Sequence, residues 1–419
     1  LLLATTWGQE GVMAPPPSGV LPLLSLALPM FLARCSWAAM KTTDTALLGH
    51  VSTSALEASA LSDLWTSASG VLLSCGVLGT LAAQAVGAGN HKLAGAWVQV
   101  SLAVQLCILP LVVTAWACTS PGLRALGVGR EAAGMAGYYA GALAAALPLR
   151  TAVQHMGAFL SAQRIVKPAA TASAVACVAN AALGLPLVLG VPFPGFGGFG
   201  FAACPWVTVG VEVGQGAGLW AYAVHLKRLH EACWPGWSAA HVTAPRVREY
   251  LRLYVPAALS IASDFWRMSA VGALAATLGG TELAVFNASY RVLWVALVFT
   301  GSLAGATGVT LGAALGAGDV ARARGAVATG SAVAGTMLGV LCIAELAVPR
   351  LIARAFSSDP DVLALFEQSR VPLALVTFTM NAAVFLETVP NAMGRTKQVF
   401  AAGLAGSWAG QVPMTWAAL

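Results

Sequence analysis

Long apolar runs, parted by short polar turns, fill this chain from residue 20 to its end. A membrane span needs about 20 mostly apolar residues. Such runs predict helices near 20–43, 58–86, 93–117, 133–161, 169–190, 199–225, 250–278, 284–315, 325–348, 368–392 and 399–419. The last is cut short. Pro22, Pro29, Pro110, Pro148 and Pro256 fall inside these runs, where neighbouring helices can satisfy the backbone groups a proline frees. The longest polar interval is 226–249, LKRLHEACWPGWSAAHVTAPRVRE, and it parts six helices from five. It reads as a linker between two bundles, with Trp234 and Trp237 suited to a membrane interface.

The pattern also repeats. The stretch Leu56–Val98 recurs from Ala284 at a constant shift of about 229 residues, without a gap. Leu64-Trp65 falls on Leu293-Trp294, Gly76 on Gly305, Gly79 on Gly308, and Gly87-Ala88-Gly89 on Gly316-Ala317-Gly318. In each copy an apolar run ends in a Gly-rich turn before the next run begins. In the second copy Gly301, Gly305, Gly308, Gly312 and Gly316 form one small-residue ridge, as close helix packing in lipid requires.

Composition strengthens the reading. Apolar residues make up 58% of the 419, charged residues 9%, and mean hydropathy is +0.78. A soluble chain carries roughly 25% charged residues, so lipid must be part of the solvent here. The formal charge of +6 then reports topology, not nucleic-acid binding. With the N-terminus cytoplasmic, the inside loops hold Lys92, Arg164, Lys167, Lys227, Arg228, Arg246, Arg248, Arg252, Arg322, Arg324, Arg395 and Lys397. The outside loops hold only Arg124, Arg130, Arg350, Arg354 and Arg370. Arg34, Lys41, Arg150, Arg267 and Arg291 lie in or near spans. The bias places the N-terminus inside. The eight Cys are scattered without a CxxC or clustered His, which suggests neither a disulfide framework nor a metal site.

The expected organisation is an all-α membrane protein of two pseudo-symmetric six-helix bundles. A polar lead covers 1–19, an N-lobe 20–225, a cytoplasmic linker 226–249, and a C-lobe 250–419 with helices seven to eleven. A twelfth helix is expected beyond Leu419.

Ionisable groups inside spans are costly and are functional candidates by default. Asp44, Glu212, Asp264, Glu345 and Glu387 qualify. Glu345 and Glu387 lie near predicted helix ends, where they can snorkel, and Glu212 is mid-span. Asp44 ends the first predicted helix, and Asp264 lies eight residues after Pro256 in the seventh. Each has a cation three residues away, Lys41 and Arg267, so each can also be half of a structural ion pair. His155 is the only His well inside a span and reads as a hydrogen-bonded core residue. There is no GxSxG, HExxH, P-loop or GxGD-like aspartate pair, which argues against an intramembrane enzyme.

At these residues the chain resembles the MATE family, the multidrug and toxic compound extrusion transporters. ALPMFLARCSWAAMKTTDTALLGHVSTSAL resembles the family's first helix, with Pro29 fifteen residues before the Asp44 of a VDT-like motif and Thr43 in place of Val. GTLAAQAVGAGN and LGAALGAGD resemble the turn after the second helix and its second-half counterpart. FSSDPDV resembles the loop before the tenth helix. NAMGRTKQV resembles the turn after that helix, and SAQRIVKP its first-half equivalent.

The resemblance implies two six-helix lobes around a cavity, exporting organic solutes against returning H⁺ or Na⁺. It places the coupling ion on Asp264, Asp44 and Asn180, and the substrate near Asp264 and Asn381; Phe265, Trp266 and Tyr290 read either as cavity walls, since aromatic faces attract cations, or as ordinary bundle packing. Some members carry an Asp where Gly184 stands, and many an acid where Asn381 and Ala382 stand. Fewer acids disfavour Na⁺ and favour a proton on Asp264. The resulting reading is an H⁺ antiporter of cationic or amphiphilic organic solutes, working as a monomer in a lipid bilayer without cofactor, metal or nucleic acid. Export of organic anions, or flipping of lipid-linked sugars, is the alternative, since five cations lie in or near spans.

Overall fold

The computed structural model describes residues 19–74, 76–193 and 195–417. The polar lead lies outside these residues but for Gly19. Among them every regular element is a helix. The long ones are α1 (Val20–Val51), α2 (Thr53–Gly70), α3 (Gly76–Gly87), α4 (His91–Ala117), α5 (Arg130–Ala144), α6 (Leu147–Ala162) and α7 (Lys167–Leu189). They continue as α8 (Cys204–Trp220), α9 (Ala244–Ala276), α10 (Gly280–Gly316), α11 (Val320–Ala347), α12 (Arg370–Leu386) and α13 (Thr396–Leu404).

Among the described residues seven helical stretches are long and apolar enough to cross a membrane, or eight if α5 and α6, bent by 50° at their junction, make one span. The sequence pattern predicted eleven. The difference has a physical origin. α9 opens with Arg246, Arg248, Glu249 and Arg252, α8 has only 17 residues, and α13 gives way to a wide π turn over Ala405–Gln411. The α5–α6 bend falls just before Pro148, which sits in the first turn of α6, where its missing N–H costs nothing.

The internal repeat is closed by the same turn chemistry in both copies. Gly89 and Gly318 stand at φ +74° and +71°, the left-handed region a Cβ disfavours. The next residues, Asn90 and Asp319, cap α4 and α11 by accepting the N–H of Leu93 at 3.3 Å and of Arg322 at 2.9 Å. The helices before these turns differ. α10 runs unbroken for 37 residues, whereas its counterpart is split into α2 and α3. Ser67, Ser69, Gly70 and Ser74 stand where the second copy has Ala296, Val298, Phe299 and Leu303. Ser and Gly compete poorly for helix. The break is held by its neighbour α4: Gln105 Nε2 donates to the Ser74 carbonyl at 3.2 Å, and Trp116 Nε1 to Ser69 Oγ at 3.1 Å.

The chain divides into two compact units. The first comprises Leu32–Arg252, and the second begins at Leu253 and includes the opening turns of α1 up to Phe31. The boundary thus falls inside α9, past the polar linker. In the first unit Met40, Leu47, Trp116, Tyr139, Leu147 and Val207 pack into one core drawn from α1, α4, α5, α6 and α8. In the second, Val285, Leu293, Phe366 and Leu373 form a core between α10, α12 and the short helix Pro360–Gln368.

The linker is docked, not loose. Lys92 Nζ donates to the carbonyls of Glu231 (3.0 Å) and Trp234 (2.8 Å). Gln99 donates to the Gly236 carbonyl at 2.7 Å and accepts from the Ser238 N–H at 3.1 Å. Between them Gly95 lets the linker touch α4, since a Cβ there would lie 2.5 Å from the Cys233 carbonyl oxygen.

Candidate functional site

α1 runs to Val51, so Asp44 lies within it and not at its end. Its side chain points into the first unit and is only 3% exposed. Asn180 Nδ2, from α7, donates to Asp44 Oδ1 at 2.8 Å. Thr208 Oγ1, from α8, reaches Oδ2 at 2.8 Å and the Cys204 carbonyl at 3.3 Å. Three helices therefore converge on one carboxylate. Asp44 forms no ion pair among the described residues: Lys41 turns to Asp63, 2.6 Å away. The Lys41–Asp44 pair that their spacing permits is not made. Asn180 is fully buried, and its Oδ1 has no hydrogen-bond partner.

Gly184 lies one turn beyond Asn180, and a Cβ there would come 2.5 Å from Leu47 Cδ1. A longer side chain at 184 would therefore require Leu47 to shift. Thr208 was not singled out by sequence. A Thr inside an apolar helix ordinarily satisfies its hydroxyl on the backbone one turn back, so nothing marked this one.

The Asp264 side chain is 55% exposed, whereas Asp44 is 3% exposed. Arg267 is the buried member of that pair, 3.4 Å from Asp264 and hydrogen-bonded to Gln411 Oε1 at 2.6 Å. Trp266 is exposed and Phe265 half-buried. Tyr290, on α10, stacks parallel to Phe286 at 6.4 Å and accepts from Trp294 Nε1 at 3.2 Å. Asn381 is wholly buried, its Nδ2 donating to the Thr377 carbonyl at 2.9 Å. As a wall of an open substrate cavity it is therefore misplaced.

Two further acids lie apart from these. Glu212 accepts a bidentate pair from Arg150 (2.7 and 3.1 Å), whose guanidinium lies 5.9 Å over the Trp116 ring. Glu345 does not snorkel; it is 3% exposed. His155 is buried, hydrogen-bonded through Nδ1 to the Thr151 carbonyl and through Nε2 to Ser101, as a core His would be. No cluster of His, Cys, Asp or Glu among the described residues fits a metal.

The MatE family profile matches residues 29–185 and 256–416, which cover both halves of the repeat. This chain belongs to the MatE family. The matched segments carry Asp44 and Asn180 in the first and Asp264, Tyr290 and Asn381 in the second. Among relatives of this MatE chain, multidrug and toxin extrusion protein 1 of Danio rerio is 27% identical over 73% of the chain. The probable multidrug resistance protein NorM of Bradyrhizobium diazoefficiens is 26% identical over 94% of the chain and 85% of its own length. The chain spans only 51% of the Danio rerio protein and 59% of the Mus musculus multidrug and toxin extrusion protein 2. Of solved structures, the eukaryotic MATE transporter AtDTX14 aligns with TM-score 0.83 at 20% identity, over 93% of this chain and 86% of its own. A MOP superfamily transporter from Pyrococcus furiosus aligns with TM-score 0.82 at 18% identity, over 97% and 90%. These likenesses establish the MatE fold.

Proposed function

We propose that the chain is a secondary active transporter, exporting cationic or amphiphilic organic solutes in exchange for H⁺, and that Asp44 carries the proton. The observation that carries this reading is a buried carboxylate whose direct partners are neutral. An ionised carboxyl out of water costs several kcal/mol unless paired. Two hydrogen bonds offset part of that, and a proton removes the rest.

The surrounding groups suit both states. With Asp44 ionised, Asn180 and Thr208 both donate to it. With Asp44 protonated, the Thr208 hydrogen can return to the Cys204 carbonyl, already 3.3 Å away. The Asn180 amide can turn and offer its unpartnered Oδ1 to the new O–H. The acidic proton and the Thr208 hydroxyl hydrogen then each have an acceptor. Exposed Asp264 is assigned to attract the cationic solute. The names of the multidrug and toxin extrusion relatives support a broad organic substrate class. Three of the five in-span cations that favoured anion export are engaged by acids: Lys41 by Asp63, Arg150 by Glu212 and Arg267 by Asp264.

The test is uptake into proteoliposomes under an imposed pH gradient, with one cationic dye and one organic acid. Dye movement is expected from the wild type, none from Asp44→Asn, and weaker apparent affinity with near-normal maximal rate from Asp264→Asn. Transport of the organic acid alone would favour the anion reading. Full gradient-driven dye transport by Asp44→Asn would place the proton elsewhere.

A further inference from the structure

A groove of about 730 Å³ runs between α7 and α8 in the first unit, and nothing above uses it. Along α7 its lining begins at Pro168 and ends at Leu183, which at 1.5 Å per residue is about 22 Å. Along α8 it extends from Gly210 into the π turn Ala221–Leu226 that continues the helix. Drawn out over that length, the volume is a slot and not a bowl.

Its floor is unusual. Gly210, Gly214 and Gly218, one turn apart on α8, line it and are exposed. A Cβ on any of them would meet no atom within 4 Å. Gly216 is the contrast on the same helix: a Cβ there would lie 3.0 Å from Leu149 and Val153. A glycine ridge in a membrane helix ordinarily admits a second helix, and glycine weakens the helix that carries it. Here the ridge faces open space. Val175, Ala179 and Leu183 of α7 make the opposite wall apolar. Asn180 and Gly184 are turned to α1 and line none of it, so the groove is separate from Asp44.

Charge is confined to one end. Lys227, directly after the π turn, lines the mouth and is exposed. Lys167, the first residue of α7, is exposed at the same end, because α7 and α8 run in opposite directions. The start of α7 has no side-chain cap, so its backbone N–H groups add to the positive field. No acid lines the groove. Midway, the Gln215 amide is turned to Ser173 Oγ at 3.0 Å.

We propose that this groove holds one anionic phospholipid of the surrounding bilayer, with an acyl chain laid along the glycine ridge and the phosphate beside Lys227 and Lys167. A long apolar slot with a basic rim matches a lipid tail and its headgroup in both shape and charge. A second copy of the chain does not match. A two-fold contact needs a self-complementary surface, and a concave slot with lysines at one end is not one. Occupancy of the groove does not depend on the transport reading.

The test counts bound lipid. The full chain is released from nanodiscs of equimolar phosphatidylglycerol and phosphatidylcholine, and native mass spectrometry reads what it retains. One phosphatidylglycerol is expected to stay on in preference to phosphatidylcholine. Gly214→Leu fills open space without a clash and should abolish that retention. Lys227→Gln, at an exposed position, should lower the preference about fivefold, which keeps the idea testable if the Leu variant folds poorly. A phosphatidylglycerol with a diazirine on its acyl tail should form adducts on α7 and α8 peptides, and none there in Gly214→Leu. Equal retention of the two lipids by the wild type, or undiminished phosphatidylglycerol on Gly214→Leu, overturns the proposal. So does a dimer that Gly214→Leu splits, since a second copy would then cover the ridge.

Discussion

The charge state of single buried side chains decides what this chain can do, and the hydrogen bonds of Asp44 show how little holds it. Thr208→Val keeps the volume and deletes the hydroxyl. Removing one partner of a buried charged group costs about 1–3 kcal/mol. Thermal unfolding in detergent should register that loss, and gradient-driven export should fall with it; an unchanged melting curve would mean that the Thr208 hydroxyl does not support Asp44. The pair Arg150–Glu212 provides a contrast. Glu212→Gln is expected to destabilise by about 1–2 kcal/mol, because it leaves a partly buried guanidinium half-answered. Arg150→Met with Glu212→Leu should recover most of it, which unfolding of the single and double variants would measure.

At the scale of elements, the linker and α4 behave as one piece. Gly95→Val drives a side chain into the space of the Cys233 carbonyl and Pro235. Cys233 is buried and burial pushes its thiol up, with Lys92 opposing, so in the intact protein it should resist maleimide at neutral pH. In Gly95→Val it should label readily; equal labelling in both would mean that the linker is not seated there.

Much of this scale was legible in sequence. Helix positions followed from apolar runs, and the GAG turns from the repeat, while the Asn90 and Asp319 caps came from the structure. What was not legible depended on contact between distant segments. The break between α2 and α3 is stabilised by Gln105 and Trp116, far along the chain. Lys41 was three residues from Asp44 but chose Asp63, because helical spacing permits a pair without requiring it. Asp44 with Asn180 came from family resemblance. The exposure of Asp264 was not legible, since position along a helix does not say which of its faces is covered.

At the scale of the whole chain, the docked linker changes what its covalent continuity means. Residues 239–243 are the lightly held part, with Ala239, Ala240 and Thr243 exposed. On either side the chain is anchored to the first unit, by Lys92 and Gln99 before it and by Tyr250 after it, whose hydroxyl lies 2.7 Å from Ser101 Oγ. A protease site placed in 239–243 should be cut only from the cytoplasmic face if the Lys and Arg bias sets the orientation, which sealed vesicles of either sidedness would reveal. After the cut, the two fragments should still co-purify. The peptide bond at that point is a redundant stitch: sever it, and the hem holds.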